Sequence, residues 1–363
     1  MSLTERVDAA IDSAVTSRIV GCVVLVNHGG KRVYERAAGF ADREAGTPVK
    51  QDTIFRYASF TKPIVSAAAL RMIDLGLLSL DDPVHKYLPF FRPKAPDGSM
   101  PAILIRHLLT HTAGLDYDHI PEEVSRGSDP KPLGPLEDVL RLLATAELAQ
   151  APGTAWRYGM SIDVLGGVIG AINGDISDVE AAVSKYVTGP LGMSDSHFST
   201  TEVARVAVAY GDSKPVPIRM SEPQRMVHEN GEVRDMSPAR IFEPRAPHSG
   251  GAGMAGTAAD FMNLLEGLRG DFLSPAMRKA AFSNQIGTIG RPNTKAKFGL
   301  FGAVFDVPEA KWQRPGMMEW GGIWGNSWAI DPTTETTLVM MSNTMWEGVG
   351  GKFVEDTRQA VFG

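Results

Sequence analysis

A chain of 363 residues with 43% apolar side chains can fill one large core or two medium ones, which excludes a disordered protein. Its 36 basic and 42 acidic residues leave a formal charge of −6, and no basic run with interleaved aromatics breaks that balance, so a nucleic-acid partner is excluded. The single cysteine, Cys22, rules out an internal disulfide and, within the apolar run Ile19 to Val26, reads as a small buried hydrophobe.

From Met1 the chain passes directly into an amphipathic helix over residues 4–17, without the basic start, apolar stretch and small-residue cleavage site of a secretory signal. No apolar run reaches the roughly 18 residues of a membrane span. The expectation is a cytoplasmic protein with no membrane partner. Segments 19–27, 31–40 and 53–58 are β-type, the first two joined across His28-Gly29-Gly30, and Pro63 to Leu75 is a second helix stopped by Gly76. The middle is predicted helical over Ala102–Thr110, Pro135–Glu147, Ser161–Ile172, Asp178–Val187 and Thr257–Leu268, with Pro/Gly/Asp-rich loops between. Three further strands follow at Lys297–Phe305, Gly325–Ile330 and Thr337–Met341, and a helix from Gly351 to Val361 closes the chain. The reading is α+β. An antiparallel sheet from residues 1–80 and 250–363, flanked by N- and C-terminal helices, hosts an inserted, mostly helical domain over 81–249, with the active-site cleft between them.

Ser59-Phe60-Thr61-Lys62 lies where the third β-type segment meets the second helix. The first and fourth residues of a helical run share a face, so the Lys62 amine can reach the Ser59 hydroxyl, and the helix N-terminus favours a developing oxyanion. Pro63 is tolerated because it falls in the first turn. The bland reading is an N-cap serine beside a solvated lysine. Ser128-Asp129-Pro130-Lys131 repeats the spacing, but Pro130, Pro132 and Pro135 forbid a helix there. Gly251-Ala252-Gly253-Met254-Ala255-Gly256 matches G-x-G-x-x-G without a preceding hydrophobic strand, so its glycines read as loop flexibility beside the cleft, not as a dinucleotide site. His107 and His111 lack the intervening acid of a zinc helix and read as capping or core residues. Ser327, in Gly325-Asn326-Ser327-Trp328-Ala329, reads as structural. No metal or cofactor is implied.

Two more segments join Ser59 and Lys62. Pro152-Gly153-Thr154-Ala155-Trp156-Arg157-Tyr158-Gly159-Met160 resembles the tyrosine motif of the serine β-lactamase and penicillin-binding-protein superfamily. Trp320-Gly321-Gly322-Ile323 sits where that superfamily carries a Lys-Thr-Gly on a sheet strand beside the serine. Leu108 to Leu115 and Ser249 to Met254 are similar to segments of its class C branch, and the resemblance spans roughly residues 15 to 345. The Trp-Gly-Gly variant, with Met160 in place of the asparagine of Tyr-x-Asn, most resembles the β-lactamase-like family VIII carboxylesterases. The resemblance implies a serine esterase acting on a small-molecule ester. Ser59 is then the nucleophile, and Lys62, its pKa lowered by its surroundings, or Tyr158 is the base. The Ser59 and Ile323 amides form the oxyanion hole, and Trp320, Gly321, Gly322 and Met160 line the substrate site. Exchange of lysine and asparagine for Trp320 and Met160 implies an apolar surface that suits neutral groups over an anionic lactam. A β-lactamase or D,D-peptidase, an acyltransferase or amide hydrolase, and a non-catalytic binding protein are the competing readings.

Overall fold

A strand that is apolar at consecutive positions has to be covered on both faces, because successive side chains point to opposite sides of the sheet. Strand β1 (Gly21–His28) is of this kind, buried from Gly21 to Asn27. Its Cys22, Val24 and Val26 enter one apolar cluster while Val23 and Leu25 enter another. Burial pushes the Cys22 thiol up to about 12, as befits a core residue. The computed structural model in which these contacts are seen describes residues 1–117, 134–227 and 233–363. The Ser128 repeat lies outside the described residues.

Gly29 and Gly30, both at positive φ, make the tight turn from β1 into β2 (Lys31–Asp42), which pairs in turn with the short β3 (Thr47–Pro48). The C-terminal part of the chain supplies β4 (Lys297–Phe298), β5 (Ala303–Val304), β6 (Met318–Gly322), β7 (Asn326–Asp331) and β8 (Thr336–Ser342). All eight form one antiparallel sheet in the order β4-β5-β6-β7-β8-β1-β2-β3. The two ends of the chain meet inside it, with Cys22 opposite Ser342 and His28 opposite Thr336.

Helices cover both faces. On one side lies α1 (Leu3–Val15), begun by a reciprocal cap between Ser2 and Glu5, together with α5 (Lys352–Phe362), and their Val7, Ile11, Phe353 and Val354 close the first cluster. On the other side lie α2 (Thr61–Asp74) and α4 (Ala258–Arg269). Every residue of α2 from Thr61 to Leu70 is buried, because α3 (Ser161–Asn173) packs against it from the far side. A single apolar cluster therefore runs from Val23 through Ile64 and Leu70 to Leu140 and Val168, joining the sheet to the helical middle of the chain. Among the described residues, no helix is long and apolar enough to cross a membrane.

Several elements depart from the sequence reading, among them the helix expected over 135–147, which spans Leu136–Leu143, and that expected over 178–187, which is α-helical over Val179–Val183. The strand expected over 297–305 is a hairpin, closed by the Gly299 amide donating to the Gly302 carbonyl at 2.9 Å. The strand expected over 53–58 contracts to Phe55–Arg56, paired with Ala255–Gly256, because the chain at once winds into a 3-10 turn over Ala58–Phe60. The helix expected over 102–110 spans only Ile105–Leu109, with Leu104 still extended. The middle also carries two small strand pairs, Tyr210–Gly211 with Ile218–Arg219 and Gln224–Val227 with Val233–Met236.

Candidate active site

Ser59 sits in the 3-10 turn that runs straight into α2. Ala58, just before it, has φ of +46°, a conformation that side-chain-bearing residues avoid and that persists only where neighbours enforce it. Those neighbours are anchored. The Tyr57 hydroxyl donates to the Thr257 carbonyl at 2.8 Å, Phe60 stacks on Phe261 at 4.0 Å, and Thr61 Oγ1 accepts from the Met254 amide at 3.1 Å. The Ser59 hydroxyl is thus presented on fixed backbone at the positive end of α2.

One turn along α2, Lys62 is only 3% exposed. Its ammonium donates to the Gly251 carbonyl at 2.7 Å, to Ser59 Oγ at 3.3 Å and to the Tyr117 hydroxyl at 3.4 Å, and it lies 4.6 Å from the centre of the Tyr158 ring. Tyr158 donates its hydroxyl to Ser59 Oγ at 2.7 Å. Ser59, Lys62 and Tyr158, predicted from sequence, therefore converge on one oxygen. Burial alone would push Lys62 towards losing its proton, but the phenolic oxygens of Tyr117 and Tyr158 and the Asp163 carboxylate outweigh it and hold its pKa above the ordinary lysine value. The lowered pKa expected from sequence is thereby overturned, and Lys62 is a cation at neutral pH.

The carbonyl that anchors Lys62 is itself built in. Ser249 donates its hydroxyl to buried Asp163 at 2.5 Å and accepts from the Ala252 amide at 3.1 Å, which fixes the loop carrying Gly251. A Cβ on Gly251 would stand 2.3 Å from Asp163 Oδ2. Close approach, not the flexibility expected from sequence, is what these glycines supply.

Opposite Ser59, β6 carries Trp320, whose indole Nε1 donates to the Tyr158 hydroxyl at 3.4 Å and whose ring lies 5.2 Å from that of Tyr158. A Cβ on Gly322 would stand 2.2 Å from the Tyr57 carbonyl, so glycine lets the strand close on the serine turn, and Asn326 Nδ2 ties the same hairpin to the Arg56 carbonyl at 2.7 Å. Gly321 pairs with Ser327 across the sheet, and Ile323 begins the turn after Gly322. Met160, half-buried on the helical core, occupies the N-cap of α3 two residues beyond Tyr158.

The family described as "Beta-lactamase" matches residues 7–357. The chain belongs to that family. Esterase EstB of Burkholderia gladioli is 41% identical over 99% of this chain and 95% of its own length. The solved structure of EstCE1, described as a hydrolase with promiscuous acyltransferase activity, superposes with a TM-score of 0.93 at 37% identity, covering 99% of this chain and 98% of that one. Acyltransferase calJ of Penicillium decumbens is 28% identical over 83% of this chain and 78% of its own.

Several site residues escaped the sequence reading. Tyr117 has no motif of its own. His111, expected as a capping or core residue, is buried with its ring 4.8 Å from that of Tyr158, and burial, with the Lys62 and Arg291 cations, pushes its pKa well below the ordinary value, so it is neutral. His107 does cap, its Nδ1 accepting from the Leu104 amide at 3.2 Å. Ser327 is structural, accepting from Arg358 at 2.6 Å. The largest surprise is Arg291. Its guanidinium lies 5.4 Å from the Trp320 ring and 4.6 Å from that of Trp156, so the surface read as purely apolar carries a cation contributed by a loop with no recognisable motif.

Proposed function

We propose that this chain is a serine hydrolase that cleaves carboxylic esters through an acyl-enzyme on Ser59. The observation that carries the proposal is the convergence of Lys62 Nζ and Tyr158 Oη on Ser59 Oγ, at 3.3 and 2.7 Å, at the N-terminus of α2. The identity with Esterase EstB over nearly the whole chain supports it.

The raised pKa of Lys62 supports one division of the proton transfers. An ammonium accepts no proton, so Tyr158 is the base, with the Lys62 charge offsetting the negative charge that appears first on the phenol oxygen and then on Ser59. Once Tyr158 has released its phenol proton to water, Ser59 Oγ bonds to the ester carbonyl carbon, the C=O π pair moves onto the carbonyl oxygen, and the serine proton passes to the Tyr158 phenolate. Collapse of the tetrahedral species breaks the bond to the alcohol oxygen, which takes the proton from Tyr158 and leaves. Water then adds to the acyl-enzyme, gives its proton to Tyr158, and the acid departs as Ser59 recovers a proton. The Ser59 and Ile323 amides are proposed as the oxyanion hole, and the close approach of Gly322 to Tyr57 supports that assignment. Trp320, through its bond to Tyr158, positions the acid and base, while Gly321 and Met160 are proposed along the substrate path.

A p-nitrophenyl butyrate assay with wild type and Ser59→Ala, run beside a chromogenic cephalosporin, tests the proposal. Ester turnover that falls at least 10³-fold in the variant is expected, with little lactam opening because the family's third-motif lysine is replaced by Trp320. Ester turnover that survives the substitution contradicts the reading.

A further inference from the structure

Arg291 is held against the aromatic rings that border Tyr158. A bridge between Arg291 and Thr294 closes its turn, and Lys297 Nζ clips the same loop to the Ile289 carbonyl at 2.8 Å. The guanidinium rests against Trp156, Phe298 and Trp320, at 4.6, 5.5 and 5.4 Å from their ring centres. Its Nη1 donates to the Lys297 carbonyl at 3.3 Å, while Nε is buried without a partner. Among the described residues, no carboxylate lies within ion-pair distance of it. Burial lowers its pKa to about 10, which leaves it charged at neutral pH.

A half-buried cation whose Nε is buried with its donor unmet is a feature that folded proteins rarely keep without use. The position of the unmet donor is informative: Nε–H shares one edge of the planar guanidinium with an N–H of Nη2, and that edge is the fork that grips both oxygens of a carboxylate. The position says which end of a substrate would carry that carboxylate. If Tyr158 protonates the leaving oxygen, the alcohol part leaves past Tyr158, whose ring lies 5.2 Å from Trp320 and 6.1 Å from Trp156, the two rings on which Arg291 rests.

We infer that Arg291 is a carboxylate-recognition residue for the alcohol half of the substrate, so that the preferred esters are acylated hydroxy acids, split by water into the free acyl acid and the hydroxy acid. The inference rests on the esterase reading and deepens it. It also replaces the expectation of a neutral substrate: another part of the chain supplies a cation, placed beyond Trp320 and one ring further from Ser59 than Tyr158, which leaves the third-motif position itself without one.

The test uses two esters with the same acyl group, 3-carboxyphenyl butyrate and its methyl ester, 3-(methoxycarbonyl)phenyl butyrate. Both form the same acyl-enzyme, so any difference in kcat/KM arises in binding and acylation. Wild type is expected to favour the carboxylate ester at least tenfold. Arg291→Gln is expected to lower that ratio by about 10- to 100-fold, the range of a lost charge-assisted fork, and Arg291→Lys to keep part of it. Taking the ratio within each protein cancels differences in the amount of folded enzyme. A ratio unchanged in Arg291→Gln, or a wild type that favours the methyl ester, overturns the inference while leaving the esterase reading in place. If neither ester is cleaved in a Ser59-dependent way, the esterase reading falls and this inference with it.

Discussion

The division of labour between Lys62 and Tyr158 turns on where one positive charge sits. The spacing of Ser59 and Lys62 was legible because a helix fixes which residues share a face, and the tyrosine motif named Tyr158. The charge state of Lys62 was not legible, since it depends on Tyr117, Tyr158 and Asp163, which are remote in sequence and meet only in the fold. Two outcomes follow. Tyr158→Phe removes the proposed base but not the packing of the ring, and should lower kcat/KM for a neutral ester by about 10²- to 10⁴-fold without moving the melting temperature by more than a few degrees. In protein carrying ¹³C-lysine, the Cε signal assigned to Lys62 by comparison with Lys62→Arg should hold its ammonium position across the neutral range and to higher pH than an ordinary lysine. The raised pKa keeps the proton on until the pH climbs through it; titration near neutrality would return the base to Lys62.

At the scale of elements, the proposed catalytic arrangement depends on β6 closing against the turn that precedes α2. Most of the sheet was readable from runs such as Val23 to Val26, apolar on both faces. The hairpin at Gly299 and Gly302 and the boundaries near Ser59 were not, because short turns are decided by single backbone hydrogen bonds and by the strained Ala58 rather than by apolar periodicity. The Trp-Gly-Gly segment became interpretable through its likeness to a family motif, and its geometry supplies the reason for the glycine. Gly322→Ala would drive a methyl into the Tyr57 carbonyl, at 2.2 Å in the present backbone. The strand must then retreat, and the account predicts a loss of about 10²-fold or more in kcat/KM from misplacement of the Ile323 amide, measured beside the melting temperature. An unimpaired Gly322→Ala enzyme would show that this approach does not set the rate.

Across the whole molecule, the sheet joins the first and last segments of the chain, and α1 and α5 cover the face turned away from Ser59. Arg358 on α5 links that face to the site strand, pairing with Glu319 of β6 at 2.7 Å and donating to Ser327 of β7 at 2.6 Å. Its side chain is 11% exposed and that of Glu319 22%, so the pair is shielded enough to matter. Arg358→Met should cost about 2–4 kcal/mol in urea unfolding by leaving Glu319 and Ser327 without their partner. The terminal helices were readable from their amphipathic spacing, but this link was not, since nothing near Arg358 in sequence marks Glu319 as its partner. Arg291 escaped notice for the same reason: its proposed role follows from three aromatic rings assembled from distant segments.

The central claim is a covalent one, and a covalent adduct tests it most directly. The protein should be mixed briefly with p-nitrophenyl butyrate, quenched in acid, digested with trypsin and weighed by mass spectrometry. The account predicts a single butyryl group on the peptide running from Tyr57 to Arg71, located at Ser59 by fragmentation and absent from Ser59→Ala. Butyryl located on another residue, or wild-type turnover in which no acylated Ser59 is trapped even when deacylation is slowed at low pH, would contradict it.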